Sequence, residues 1–177
     1  MNAAPELVVL LSDDGLRMGT AVKGEVHTTD TPLHLAFSCH VFRDNGEVLV
    51  TRRALSKGTW PGVWTNSFCG HPAPDESFED AIARRAEYEL GITVQDVVPV
   101  IPDFRYRAVD ASGVVENEIC PVYRAVISSD VHPRDSEVVD YAWVDPQQLA
   151  AAVAAAPFAF SPWLRLQVTE WGSVDYR

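Results

Sequence analysis

The stretch Gly70-His71-Pro72-Ala73-Pro74-Asp75-Glu76-Ser77-Phe78-Glu79-Asp80-Ala81-Ile82-Ala83-Arg84-Arg85-Ala86-Glu87-Tyr88-Glu89-Leu90-Gly91-Ile92 decides how the chain is read. Residues 70–74 form a loop, because their two prolines forbid regular structure. A helix over 77–90 follows, with Asp75 or Ser77 as N-cap candidates and Gly91 as its stop. At about 100° per residue, Phe78, Ala81 and Ile82 define an inward stripe. Arg85 and Glu89 fall on that same stripe, and charges on the apolar side of a helix are costly unless partnered. Two readings stand side by side. Arg85 and Glu89 form a buried i,i+4 pair that fixes packing, or Glu89 holds a metal while Arg85 faces an anion.

Working outward, 7–11 reads as a strand and Ser12-Asp13-Asp14-Gly15 as a turn. Pro32 precedes a strand at 35–43, which Asp44-Asn45-Gly46 joins to 47–53 in a strong hairpin signal. Residues 64–69 read as another strand. Segments 104–109 and 114–127 form a hairpin across Asp110-Ala111-Ser112-Gly113. Asp145-Pro146 and Ser161-Pro162 each open a helix in the favoured cap-then-proline order. Strands, a helix, more strands and two helices, without βαβα alternation, predict an α+β fold: a mixed β-sheet core flanked by helices.

Other segments also break their own pattern. On 114–127, Glu116, Glu118 and Cys120 share a face by the period of two. Two neighbouring carboxylates repel, so the face is either solvated or a cation site. In an extended Cys69-Gly70-His71, Cys69 and His71 face one side, and His27 and His34 lie upstream in turn or loop segments. Cys-x-His alone lacks the paired spacing of a structural zinc site, and a lone reduced Cys is most often an inert core residue. His40 and His132 join no cluster and read as structural or exposed. Lys23, Arg52, Arg53, Lys57, Arg84 and Arg85 fall near these segments, where an anion would be drawn. Ordinary surface solvation is favoured for Arg52 and Arg84. Trp60, Trp64, Phe68, Tyr106 and Trp163 read mainly as core.

Composition bounds the function. The 177 residues carry a formal charge of −11, with 47% hydrophobic and 22% charged residues. That is globular composition for one domain, and its acidity argues against DNA, RNA or anionic-membrane binding. Three cysteines, Cys39, Cys69 and Cys120, with no signal-peptide pattern at the N-terminus, read as reduced thiols in a cytoplasmic protein. The longest near-apolar stretch, 149–160, contains Pro157 and is too short for a bilayer span.

Together these residues resemble a known family. Thr65-Asn66-Ser67-Phe68-Cys69-Gly70-His71-Pro72 resembles the signature of type 1 isopentenyl-diphosphate isomerases. Residues 70–92 resemble the Nudix box, G-x5-E-x7-REUxEExGU. Gly70, Glu76, Arg84, Ala86, Glu89, Gly91 and Ile92 fit it; Arg85 and Tyr88 stand where the hydrolases of this family carry metal-binding Glu, which counts against hydrolysis. The resemblance runs from Lys23 to about Trp163. It implies a single Nudix-like isomerase domain over 1–177, with a Nudix core of about 32–166 and an N-terminal extension that contributes to the site.

The resemblance also implies roles. A divalent-metal site for Mn²⁺, Mg²⁺ or Zn²⁺ falls on His27, His34, His71, Glu116 and Glu118, a ligand set compatible with all three. A second Mg²⁺, bound with the substrate diphosphate, falls on Glu89 and the Cys69 carbonyl. Lys23, Arg53, Lys57 and Arg85 bind the diphosphate. Cys69 and Glu118 form the acid–base pair, Tyr106 supports Glu118, and Trp163 faces a carbocation. The implied reaction is isomerisation of isopentenyl diphosphate to dimethylallyl diphosphate in isoprenoid biosynthesis, by a monomer with a small prenyl diphosphate substrate. Two other classes compete: a Nudix hydrolase of a nucleoside diphosphate derivative, and a non-enzymatic metal-binding or scaffold protein.

Overall fold

A computed structural model describes residues 5–171; positions 1–4 and 172–177 of the expected 1–177 domain lie outside the described residues. The helix that decides the fold forms over Phe78–Leu90 (α2). Ser77 caps it by accepting from the Asp80 N–H, and Gly91 ends it in the left-handed region at φ 60°, donating to Ala86 and Glu87. A Cβ at Gly91 would meet the His132 carbonyl oxygen at 2.8 Å, so both backbone angle and space demand glycine.

The remaining elements are β1 (Leu7–Leu11), β2 (Arg17–Val22), α1 (Lys23–Val26), β3 (His34–Leu35), β4 (Phe37–Phe42), β5 (Val48–Arg53), β6 (Trp64–Thr65), β7 (Phe68–Gly70), β8 (Val94–Ile101), β9 (Arg105–Val109), β10 (Val115–Ile119), β11 (Val122–Ile127), β12 (Val138–Val144), α3 (Pro146–Ala155) and α4 (Pro162–Trp171). They build two sheets, in the orders β2-β1-β3-β10-β9 and β12-β5-β4-β11-β8, with β6 on β5 and β7 on β4. This is the α+β architecture that the element order predicts.

Alternation along β4 sorts the core into two layers. Phe37, Cys39 and Val41 pack with Ala81, Ile82, Ala86 and Leu90 of α2. On the opposite face, Phe42 packs with Leu149 of α3 and with Trp163, Leu164 and Trp171 of α4. The larger sheet is therefore covered on both sides, which explains why every residue of β4 is buried.

The structure corrects the expected strand at 114–127. It splits at Cys120-Pro121 into β10, in one sheet, and β11, in the other. Pro121 has no N–H to continue a ladder. The expected strand at 35–43 divides in the same way: β3 pairs in parallel with β10, and β4 in parallel with β11. Residues 64–69 are also two short strands, because the Asn66 side chain donates to the Cys39 and Phe68 carbonyls and takes the place of a ladder. β2, β8 and β12 are the strands that sequence patterning leaves unassigned. All three are edges, and β8 carries Pro99 and register shifts against β11, so an alternating pattern is weak there. Among the described residues no helix is long and apolar enough to cross a membrane.

Candidate active site

The point where both parallel strand pairs change sheets positions the site. Register sets Glu118 of β10 beside His34 of β3 and opposite Tyr106 of β9. It also sets Cys69 of β7 opposite Ser38 of β4. A cavity of about 710 Å³ opens here. Every site residue expected from the sequence lines it except His34, which is fully buried behind the wall.

One end is made of imidazoles and carboxylates. His27, His34, His71 and Glu118 bring one ligand atom each to within 4.8 Å of one another. His71 Nε2 lies 3.1 Å and His34 Nε2 3.4 Å from the same Glu118 oxygen, Oε1. Glu116 stands just outside, with Oε2 3.0 Å from His27 Nε2 and Oε1 accepting from the Thr59 hydroxyl at 2.8 Å. The His34 Nδ1–H donates to the Pro32 carbonyl at 2.9 Å, which leaves Nε2 bare toward the carboxylate. His27 Nε2, His34 Nε2 and His71 Nδ1 are buried without a hydrogen-bond partner among the described residues. Three imidazoles and a buried carboxylate, with His27 Nε2 and His34 Nε2 facing Glu116 and Glu118 without a hydrogen bond, fit a divalent cation, and a backbone carbonyl holding the far nitrogen is how ligating histidines are oriented.

The charges follow from this packing. Burial pushes the Glu118 carboxyl up, but His34 and His71 together outweigh it and hold the group well below the usual carboxylate range. Burial pushes His34 down, and Glu118 more than reverses it. For His71, burial wins and the imidazole sits below its ordinary value.

The other end is made of fixed charges. Lys23 Nζ meets Glu6 at 2.8 Å, and Lys57 is paired with Glu137. Arg85 is paired with Glu89, its Nε 3.1 Å from Oε1, and reaches Glu137 at 3.6 Å. Burial opposes the Arg85 charge, and Glu89 followed by Glu137 more than restores it. The buried i,i+4 pair that helix periodicity allows is therefore present, and it also borders the cavity. Gly70 makes room for it: a Cβ there would lie 2.8 Å from Arg85 Cγ and from the Phe37 ring. Arg84 is exposed, as expected of it, and from the surface it holds Glu76 at 2.7 Å and the His71 carbonyl at 3.2 Å, bracing the loop ahead of α2.

Between the ends lie a thiol, a phenol and an indole. The Trp163 indole N–H donates to Asn66 Oδ1 at 3.0 Å. Its ring meets Trp60 edge-on at 5.5 Å and Tyr106 at 5.8 Å. The Arg53 guanidinium lies 5.3 Å from the Trp163 ring and is anchored by the Thr59 and Trp60 carbonyls. Burial pushes the Cys69 thiol up to about 12, against its hydrogen bonds with Ser38 and with Asn66 Oδ1, which accepts from it. Burial, followed by Glu118, raises the Tyr106 phenol well above its ordinary value. Tyr106 faces Glu118 across the β9–β10 ladder, but no hydrogen bond joins the two among the described residues. Such a site can bind an anion and a divalent cation and move protons beside aromatic rings.

Sequence reasoning passed over Glu137, Ser38 and Thr59, and gave Asn66 no role although it stands inside the 65–72 string. Glu137 precedes β12, a strand with no pattern of its own. Ser38 and Thr59 are short polar residues whose meaning comes only from what faces them.

The NUDIX domain model matches residues 32–164. An isopentenyl-diphosphate Delta-isomerase of Clavibacter sepedonicus is 68% identical over 92% of this chain and 86% of its own. Proteins of the same name from Kocuria rhizophila and Klebsiella pneumoniae are 64% identical (96% and 94% covered) and 55% identical (93% and 89% covered). Among solved structures, a protein from Deinococcus radiodurans aligns with a TM-score of 0.73 at 17% identity, covering 94% of this chain and 99% of its own. The MutT protein of Methanosarcina mazei aligns at 0.62 and 22% identity, covering 79% and 93%. These two likenesses speak for the fold alone.

Proposed function

The chain belongs to the NUDIX family and, within it, to the isopentenyl-diphosphate Delta-isomerases, and from that premise we propose a role for each group in its pocket. The enzyme converts isopentenyl diphosphate into dimethylallyl diphosphate. An unactivated alkene is a very poor base, and its protonation gives a tertiary carbocation that any loose nucleophile would trap. The pocket must therefore supply an acid, a base and dryness. The observation that carries the reading is that one cavity sets Cys69 between an imidazole–carboxylate cluster that includes Glu118 and a cradle of cations.

Cys69 and Glu118 form the acid–base pair. One delivers a proton to the terminal carbon, whose π pair becomes the new C–H bond. The other removes a proton from the carbon on the far side of the cation, and that C–H pair becomes the new double bond. Tyr106 borders Glu118 and excludes water from it. The Trp163 face, fixed edgewise by Asn66, stabilises the cation without bonding to it. Lys23, Arg53, Lys57 and Arg85 bind the diphosphate, whose remote binding energy holds the small hydrocarbon in place.

His27, His34, His71, Glu116 and Glu118 would hold a divalent cation, Mn²⁺, Mg²⁺ or Zn²⁺. Glu89 and the Cys69 carbonyl would hold a Mg²⁺ that arrives with the diphosphate. Bound there, such ions raise the acidity of nearby protons and neutralise phosphate charge. The enzyme acts in the cytoplasm, a reading supported by three cysteines that are free thiols, and we take its working unit to be the monomer.

A proton NMR time course of isopentenyl diphosphate with enzyme, Mg²⁺ and Mn²⁺ in D₂O tests the reading. The expected result is dimethylallyl diphosphate carrying deuterium. Unchanged isopentenyl diphosphate, together with cleavage of nucleotide diphosphates, would overturn it in favour of a hydrolase.

A further inference from the structure

A buried polar chain runs from α4 to the thiol. His40 Nε2 lies 2.9 Å from Gln167 Oε1, Gln167 Nε2 lies 2.8 Å from Ser38 Oγ, and Ser38 Oγ lies 3.3 Å from Cys69 Sγ. Ser38, His40 and Gln167 are all fully buried. No step of the isomerisation derived above uses any of them.

The direction of this chain is fixed by counting donors. Burial pushes His40 down to about 4, so its ring is neutral and carries one N–H. His40 Nδ1 has no partner among the described residues. A proton there would be an orphaned buried N–H, so the proton sits on Nε2 and is given to Gln167 Oε1. That turns the Gln167 amide nitrogen toward Ser38, whose oxygen accepts. The Ser38 hydroxyl proton is then left for a sulfur. Two are in reach, Cys69 and, at 3.4 Å, Cys120.

Asn66 sets the other side of the thiol. Its Oδ1 has two lone pairs, and these receive the Thr65 hydroxyl at 2.9 Å and the Trp163 N–H at 3.0 Å. Cys69 Sγ, at 3.4 Å, competes poorly for the same oxygen. The sulfur thus has the Ser38 hydroxyl behind it, a donor within reach of both Cys69 and Cys120, and a crowded acceptor beside it. Its own proton is left for the cavity.

We propose that Ser38 is a positioning residue for Cys69, its hydroxyl aimed at Sγ by Gln167 and His40 so that the thiol proton faces the substrate. This rests on the reading of Cys69 as one of the two proton-transferring groups. When the S–H bond breaks, its electron pair stays on sulfur and the proton forms a C–H bond. In the reverse sense sulfur takes the proton back. Either way sulfur carries charge at one end of the reaction, and Ser38 donates to it there.

The test compares Ser38→Ala, Ser38→Thr, Gln167→Glu and Cys69→Ala in the metal-loaded enzyme. Ser38→Ala is expected to lower kcat about ten- to a hundredfold, the scale of one hydrogen bond to a charge-bearing group. KM for isopentenyl diphosphate stays within about twofold, since the interaction is made in the transition state and not in substrate binding. Ser38→Thr keeps the hydroxyl and recovers most of the rate. Gln167→Glu, as a carboxylate, presents only acceptors, turns the Ser38 proton away from sulfur and lowers kcat in the same way at pH values where it is ionised. Native kcat in Ser38→Ala, with Cys69→Ala inactive, overturns the role of Ser38 and leaves that of Cys69 standing. Native kcat in Cys69→Ala overturns the reading beneath it. A Ser38→Ala loss that is shared by kcat, KM and Tm and is not rescued by Thr assigns the chain to packing and also overturns the proposal.

Discussion

The two ends of the cavity handle buried charge in different ways. At the cradle, carboxylates meet groups that are always cationic: Glu6 with Lys23, Glu137 with Lys57 and Arg85, and Glu89 with Arg85. Lys23, Lys57 and Arg85 are compensated there by the chain itself. At the cluster, Glu118 meets two imidazoles, and three buried imidazole nitrogens have no hydrogen-bond partner among the described residues. An ion pair between permanent charges is complete once formed, whereas imidazoles around a carboxylate lack a positive charge unless a proton or a metal supplies it. The difference teaches which end can fold without cargo and which is built around something still to come.

The strongest break in this contrast is chemical. Glu118→Gln removes the carboxylate on which the cluster converges. Turnover is expected to fall about a hundred- to ten-thousandfold, the range for loss of a general acid or base, with metal content falling in parallel. Product assays beside metal analysis check this, and a variant with full metal and native rate would sink the dual role of Glu118. At the cradle, Lys57→Ala is expected to raise KM about ten- to a hundredfold while leaving kcat close to native, because it removes a charged contact to the diphosphate. Steady-state kinetics decide; an effect confined to kcat would move Lys57 out of substrate binding.

Acid sharpens the comparison from outside both ends. His40 titrates near its ordinary value when unfolded and is pushed to about 4 when folded. The unfolded chain therefore binds more protons between about pH 6.5 and 4, and stability falls as pH falls through that window. The full loss is roughly 3 kcal/mol at about 1.4 kcal/mol per unit. Denaturant titrations of the native chain and of His40→Gln check this: the slope in that window should flatten in the variant. Equal slopes would show that His40 is not the group responsible.

Metal gives an effect of similar size. A divalent ion at a hundred times its Kd adds about 2.7 kcal/mol to the folded state, which for a chain of this length raises Tm by about 5–10 °C. The rise should vanish in His34→Ala and survive in Lys57→Ala. A Tm indifferent to Mn²⁺, Mg²⁺ and Zn²⁺ would remove the cluster from metal binding. The smallest expected effect lies at the seam: Gly70→Ala drives a methyl into Arg85 Cγ and the Phe37 ring, and overpacking of this kind costs about 1–3 kcal/mol. Chemical denaturation measures it, and an unchanged midpoint would show that α2 shifts freely against β7.

Local rules made α2, the β4–β5 hairpin turn and the openings of α3 and α4 legible. Ser77, Gly91, Asn45-Gly46, Asp145-Pro146 and Ser161-Pro162 act through their immediate neighbours. The edge strands β2, β8 and β12 were not legible, because β8 carries Pro99 and register shifts and the residues of β2 and β12 do not alternate apolar with polar. Arg85 and Glu89 were visible as anomalies, though their periodicity was equally consistent with a packing pair and with a site. The structure contains both at once, since the pair forms the cavity wall. Glu137 and Ser38 left no sequence signal, because neither offends any local pattern.

The sequence by itself determined where the helix starts and stops, which residues could not sit quietly in a core, and, through the 65–72 string, what family they resemble. Only the tertiary structure decided that Pro121 divides one apparent strand between two sheets, and that His27, His34 and His71 meet around Glu118. It also decided that Gln167, from the far end of the chain, donates to the serine that lies beside Cys69. The physical reason is range. Caps, turns and periodicity act over a few residues, whereas the partner of a buried polar atom is chosen by sheet register and helix docking across more than a hundred positions of chain.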